Sequence, residues 1–134
     1  MIEMDLLPPR WADVSDEVNE ILASITKKAV QLDRLHQKHL LPGFDDNTEQ
    51  EGEIERLTTD ITTQFHECGK SIKKLERLAR QTPGITKAEA AMCKNIQISL
   101  ASKVQDVSST FRKKQSAYLK SRLSLTPNMH RGWY

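Results

Sequence analysis

The 134-residue sequence is poor in the residues that build β-sheet proteins. It contains five glycines and five prolines, and aromatic residues make up 5% of the chain. A β-sandwich or β-barrel needs turn signals about every 8 to 12 residues, which this composition does not supply. The sequence therefore disfavours both architectures.

Long apolar runs are also missing. No run approaches the ~18 residues that a membrane-spanning helix needs. The opening residues MIEMD have neither the basic start nor the apolar stretch of a signal peptide. We therefore expect a soluble, unanchored chain.

Cysteine is scarce: Cys68 and Cys93 are the only two, and no CxxC spacing occurs. This excludes a disulfide framework and favours a reducing, cytosolic setting. Cys68 falls on an apolar helix face, which indicates a buried, inert thiol rather than a reactive one. Whether the two sulfur atoms meet stays open.

Motifs for catalysis are absent as well, since the sequence has no glycine-rich phosphate loop, GxSxG or HExxH. His36 and His39 are three residues apart on one helix, a spacing that can place two imidazoles beside a metal ion. No carboxylate or cysteine at a matching spacing completes such a site, and His39 falls near a helix end, where a partly charged imidazole is favourable. We predict no enzyme activity, no metal and no cofactor.

What the sequence does contain is apolar residues in steps of three and four, in three blocks. These predict helices at about 13–40, 48–80 and 86–123. Asp13 or Ser15 is the expected N-cap of the first helix, after Pro8 and Pro9. The tetrapeptides TEQE (48–51) and TKAE (86–89) are capping boxes for the other two.

Proline-containing stretches end each block: LPG at 41–43, TPG at 82–84 and TP at 126–127. Short connections force neighbouring helices to run antiparallel. The predicted fold is therefore all-α, an antiparallel up-down-up three-helix bundle at 13–123 between an N-terminal lead (1–12) and a disordered tail (124–134). A single extended coiled coil is the less favoured alternative.

Charge is unevenly distributed over the chain. Residues 1–50 carry five basic and ten acidic side chains, a net charge of −5, whereas residues 51–134 carry fifteen basic and eight acidic, a net of +7. From Phe111 onward no acidic residue occurs. The candidate contact surface for a partner or a lipid consists of Arg112, Lys113, Lys114, Lys120 and Arg122.

This basic segment has three interpretations. It is a solvated helix face, a weak contact with anionic lipid headgroups, or a nucleic-acid site. Phe111 and Tyr118 lie on the predicted core stripe and are better used in packing than in stacking on bases. We therefore expect no nucleic-acid partner.

Trp11 stands directly after the stretch LPPR. A large aromatic side chain on a stiff proline lead is suited to closing the end of the bundle, so Trp11 is the candidate N-terminal plug. A docking peptide for a partner is the alternative, which we favour less because Trp11 lies so near the helix start.

Three stretches carry a resemblance to a known family. They are LPPRWADV (7–14), LDRLHQKHL (32–40) and STFRKKQSAYLK (109–120). The chain resembles the N-terminal three-helix (Habc) domain of the syntaxin 16 type Qa-SNAREs from about residue 7 to residue 123. The pattern FRxxQxxYL is shared widely among syntaxins, whereas PPxW and LHxKHL point to this branch.

The resemblance implies a regulatory module of a vesicle-fusion t-SNARE at the cytoplasmic face of the trans-Golgi network and endosomes. The implied partners are SNARE-motif helices, an SM-family protein and tethering factors. The family's SNARE motif and membrane anchor are not found in this sequence, so we expect that this chain alone does not drive fusion. A free-standing helical adaptor or tether subunit is the alternative.

Overall fold

The computed structural model describes residues 9–40 and 48–125, which form three long helices joined by short connections. We label them α1 (Pro9–His39), α2 (Thr48–Gln81) and α3 (Lys87–Leu125). The described residues contain no strand. The predicted all-α three-helix bundle is confirmed.

Contacts between helix ends fix the directions of the three helices. The start of α1 meets the end of α2, where Arg10 donates a 3.3 Å hydrogen bond to Thr82. The start of α2 meets the end of α3, where Glu51 and Arg122 are 2.8 Å apart. The end of α1 also meets the end of α3, so the bundle runs up, down and up.

Helix α1 begins at Pro9, four residues before the predicted start at Asp13. The prediction treated the prolines as a barrier. Proline is well suited to the first turn of a helix, because the N–H group that it lacks has no intrahelical partner there. Asp13 and Ser15 therefore lie inside the helix rather than at its cap, and the proposed lead 1–12 includes helical residues.

The turn between α2 and α3 follows its sequence signals. Gly84 has a φ of 70°, a left-handed conformation that costs glycine little. The predicted capping box at the start of α3 is confirmed: the Thr86 hydroxyl accepts from the Glu89 N–H at 3.0 Å, and the Glu89 carboxylate accepts from the Thr86 N–H at 3.0 Å. Helix α3 continues to Leu125, two residues past the predicted end.

The core runs along the seam where the three helices meet. Its buried side chains are Trp11, Val14, Val18, Leu22, Ile25, Leu32, Ile61, Cys68, Leu75, Cys93, Leu100 and Phe111. Leu22 is buried in this seam, whereas the adjacent Ile21 is only partly buried. Adjacent residues point in different directions from a helix, and the spacing of apolar residues alone does not show which of these two faces the core.

No helix among the described residues is long and apolar enough to cross a membrane. The segments 1–8, 41–47 and 126–134 lie outside the described residues. Most of the predicted disordered tail falls in the last of them.

Candidate partner-binding surface

The basic residues in the second half of α3 lie on different sides of the helix. Phe111 and Tyr118 mark its buried side, each 8% exposed. Lys113 comes two positions after Phe111, and Lys120 comes two positions after Tyr118. Two positions correspond to a rotation of about 200° around a helix of 3.6 residues per turn, and both lysines are exposed. Together with the exposed Arg112, they form what we call the outer basic face.

The other two candidate cations are placed differently. Lys114 is exposed beside a cleft between α1 and α3, opposite Val30. Arg122 lies at the inner side of α3, where its guanidinium donates a 2.8 Å hydrogen bond to a Glu51 carboxylate oxygen. The structure thus separates Arg122 from the outer basic face.

Arg122 belongs to a group of side chains that joins the ends of all three helices. We call it the polar cluster, and its members are His36, His39, Glu51, Tyr118 and Arg122. The His36 ring stacks on the Tyr118 ring with centroids 3.8 Å apart and planes 9° from parallel. The Tyr118 hydroxyl and His39 Nδ1 share a 2.8 Å hydrogen bond.

Glu51 completes the cluster from α2. Its carboxylate oxygen lies 3.6 Å from His39 Nε2, as well as 2.8 Å from Arg122. In the tautomer that lets His39 Nδ1 accept from the Tyr118 hydroxyl, the remaining ring N–H is on the atom near Glu51. One carboxylate oxygen therefore lies near a nitrogen from each of two other helices and accepts its hydrogen bond from Arg122.

Burial sets the electrostatics of the two stacked rings. His36 is 6% exposed, and burial lowers its pKa from the ordinary 6.5; Asp33 opposes this effect and His39 adds to it. Burial likewise raises the pKa of the Tyr118 hydroxyl, which Arg122 opposes. Both rings are therefore held in their neutral forms near pH 7.

A groove of about 420 Å³ opens beside the polar cluster between α2 and α3. Its walls include Ile54 and Thr58 from α2 and Leu119 from α3. Leu119 is 38% exposed, a large apolar side chain at the surface. The groove and the outer basic face thus share the C-terminal half of α3.

The two histidines weighed as metal ligands both have other contacts, His36 with a ring and His39 with a hydroxyl. Among the described residues, no group of three or more histidine, cysteine or acidic side chains is placed to hold a metal ion.

Both cysteines are buried free thiols. Burial, with Glu67 nearby, raises the pKa of Cys68 to about 11, and burial also raises the pKa of Cys93. The Cys93 thiol lies 3.6 Å from the Leu75 carbonyl oxygen, as a weak donor. These features agree with the prediction of an inert thiol at Cys68.

Trp11, the candidate plug, is 1% exposed and packs in the core at the start of α1. Its indole N–H has no hydrogen-bond partner within the described part of the chain. Burial of the ring, rather than a polar contact, holds Trp11 in place.

Sequence reasoning missed the polar cluster. The four-residue spacing of Tyr118 and Arg122 and the pairing of His36 with His39 were visible signals. Linking these residues requires knowing that the C-terminal ends of α1 and α3 lie beside the N-terminal end of α2. Only the structure shows that these helix ends are adjacent.

No family model matches the chain. Named relatives do match it. A fission-yeast protein, "t-SNARE affecting a late Golgi compartment protein 2", is 45% identical over 129 residues, which cover 96% of this chain and 42% of that protein. Human "Syntaxin-16" is 39% identical over 114 residues, covering 84% of this chain and 34% of that protein. The chain spans less than half the length of these relatives.

Solved structures with a similar fold include the following two. One, described as "SM Protein Vps45 in Complex with Qa SNARE Tlg2 (1-310)", matches with a TM-score of 0.73 and 43% identity over 98% of this chain and 71% of that chain. The other, "SM Protein Vps45 in Complex with Qa SNARE Tlg2", has a TM-score of 0.73 and 47% identity over 89% of this chain and 62% of that chain.

Proposed function

Because the chain belongs to the Tlg2/syntaxin-16 family of Qa-SNAREs, we propose that it is a regulatory, partner-binding domain of a t-SNARE that acts in vesicle docking and fusion at the trans-Golgi network and endosomes. One observation carries this proposal: a Qa-SNARE that is 43% identical and shares the fold with a TM-score of 0.73 was solved in complex with an SM protein. The described helices pack around a buried seam into one bundle, which presents its outer faces for such binding.

An SM-family protein is the proposed main partner of this chain. SNARE-motif helices and tethering factors are further proposed partners, on the strength of the family resemblance. The proposed location is the cytoplasmic face of the organelle membrane, in keeping with relatives named for the late Golgi compartment.

Family membership also decides between the function classes. The relatives are t-SNAREs and syntaxins, which are not enzymes. The same relationship argues against a free-standing adaptor without SNARE ancestry.

The proposed contact surface is the C-terminal half of α3, with the outer basic face and the apolar Leu119 beside it. Exposed cations raise the association rate with an acidic partner surface, and an exposed apolar side chain beside them adds area that binding removes from water. Lys114 borders this surface, whereas Arg122 already pairs with Glu51.

The test is direct binding of the purified chain to the SM protein of its own organism, measured by calorimetry or fluorescence anisotropy. We expect saturable binding at or below tens of micromolar. Absence of binding to the SM protein and to SNARE-motif helices at that concentration contradicts the proposed function.

A charge-reversal pair locates the surface. We expect Lys113→Glu with Lys120→Glu to weaken SM-protein binding by roughly tenfold or more, mostly through a slower association rate. Lys73→Glu with Lys74→Glu is the matched control, because these exposed lysines on α2 give the same change in net charge elsewhere. Equal losses in both pairs would indicate a general charge effect and rule out the assigned surface.

An anionic membrane is the other outcome that the same variants can reveal. If the outer basic face contacts lipid, binding to vesicles containing phosphatidylserine falls with the α3 pair and falls steeply with added salt. Binding to the SM protein then remains unchanged.

A further inference from the structure

The polar cluster joins three helix ends through groups that titrate, and it lies at the C-terminal end of α3. We infer that this cluster is a pH-responsive latch, which holds the C-terminal end of α3 against α1 and α2 at neutral pH and loosens when His36 takes up a proton. The inference concerns the bundle itself and does not depend on the proposed partner.

Geometry makes His36 the controlling group. Its ring lies 3.8 Å from the Tyr118 ring in a nearly parallel stack, and 94% of its surface is shielded from water. Tyr118 is also the side chain that hydrogen-bonds His39. A change at His36 therefore acts on Tyr118, a residue of α3 that contacts both histidines of α1.

The groups around His36 come from all three helices. They are Asp33 and His39 on α1, Glu51 and Glu55 on α2, and Lys114, Tyr118 and Arg122 on α3. The acidic groups favour a charged His36, whereas the cations and burial disfavour it. A cationic imidazole stacked on Tyr118 recovers part of this cost, which reduces the size of the loosening without reversing its direction.

The direction of the pH effect follows from the lowered pKa of His36. Below about pH 6.5 the unfolded or detached form binds more protons than the closed form. The stabilisation from neutral His36 is complete above this pH and is lost as the pH falls through the pKa of the closed form. Acidification therefore opens the latch.

Amide hydrogen exchange on the full chain tests the latch. Between pH 7.4 and pH 5.5, after correction for intrinsic exchange rates, we expect protection of the amides in residues 115–125 to fall by roughly threefold or more. Protection in the middle of α1 and α2 should change little. Carboxylates as a class remain ionised over this range.

Substitutions of single histidines show which side chain causes the acid-induced loss of protection. His36→Phe keeps a ring for the stack but cannot titrate, so the acid-induced loss should disappear. His66→Gln is the matched control, because His66 is exposed on α2, and it should behave like the wild type. An unchanged loss in His36→Phe, or a loss abolished only by His39→Gln, would overturn the inference.

A measurement on the wild type covers the case in which His36→Phe does not fold. In an NMR titration, the His36 ring protons should move with a midpoint below 6.5, and the amides at the end of α3 should follow the same midpoint. A midpoint at or above 6.5, or α3 amides that follow a different group, refutes the latch.

Discussion

Trp11 is a large aromatic residue at the N-terminal end of the bundle. It lies in the first turn of α1, where side chains are commonly exposed, yet it is 1% exposed. Truncating a buried aromatic side chain removes both its transfer free energy and its packing contacts. We propose that Trp11 acts as the plug at this end of the bundle.

Trp11→Ala should lower the free energy of unfolding by about 3 to 5 kcal/mol, because the site cannot fully collapse around the missing ring. Urea denaturation measures the change. Ile98→Ala is the control, since Ile98 is 59% exposed and its truncation should change stability by no more than about 0.5 kcal/mol. Similar losses in both variants would show that burial is not the cause.

The thiols give a second prediction at this scale. The pKa of the Cys68 thiol is raised to about 11, so little reactive thiolate is present there at pH 7.5. Burial of both thiols adds a steric barrier. Iodoacetamide should therefore label Cys68 and Cys93 in 8 M urea but not in the native protein, as read by mass spectrometry. Native labelling at the rate of a small free thiol would contradict the buried placement.

At the scale of the element, local signals predicted much of the structure. The repeated apolar spacing indicated three helices, and TKAE marked the start of α3 because a capping box is satisfied within four residues. The early start at Pro9 was missed, since proline both stops and starts helices. The polar cluster was also missed, because the contact of Tyr118 with His39 joins residues 79 positions apart in the chain.

The capping box makes a prediction about α3. Thr86→Ala should lower the free energy of unfolding by about 1 kcal/mol, because the N–H of Glu89 loses its acceptor. Thr86→Ser keeps the hydroxyl and should retain most of the stability. Thr63→Ala, at an exposed position within α2, should change it by less than about 0.5 kcal/mol.

At the scale of the whole molecule, the three helices are not equally attached. α1 and α2 pack against each other more extensively than either packs against α3. α3 is also the least amphipathic of the three, with Ile98 and Leu119 exposed. Its attachment relies on a buried stripe that includes Cys93, Leu100 and Phe111, together with the polar cluster at its end.

This asymmetry predicts the order of opening. In native-state hydrogen exchange at pH 7.4 with low concentrations of urea, amides in the C-terminal half of α3 should open at a lower free energy than amides around Ile25 and Ile61. The reason is that detaching α3 leaves the α1–α2 pair in contact, whereas separating α1 from α2 breaks the most extensive interface. If all three helices exchange only by global unfolding, with one common free energy, the bundle is a single cooperative unit and α3 is not detachable.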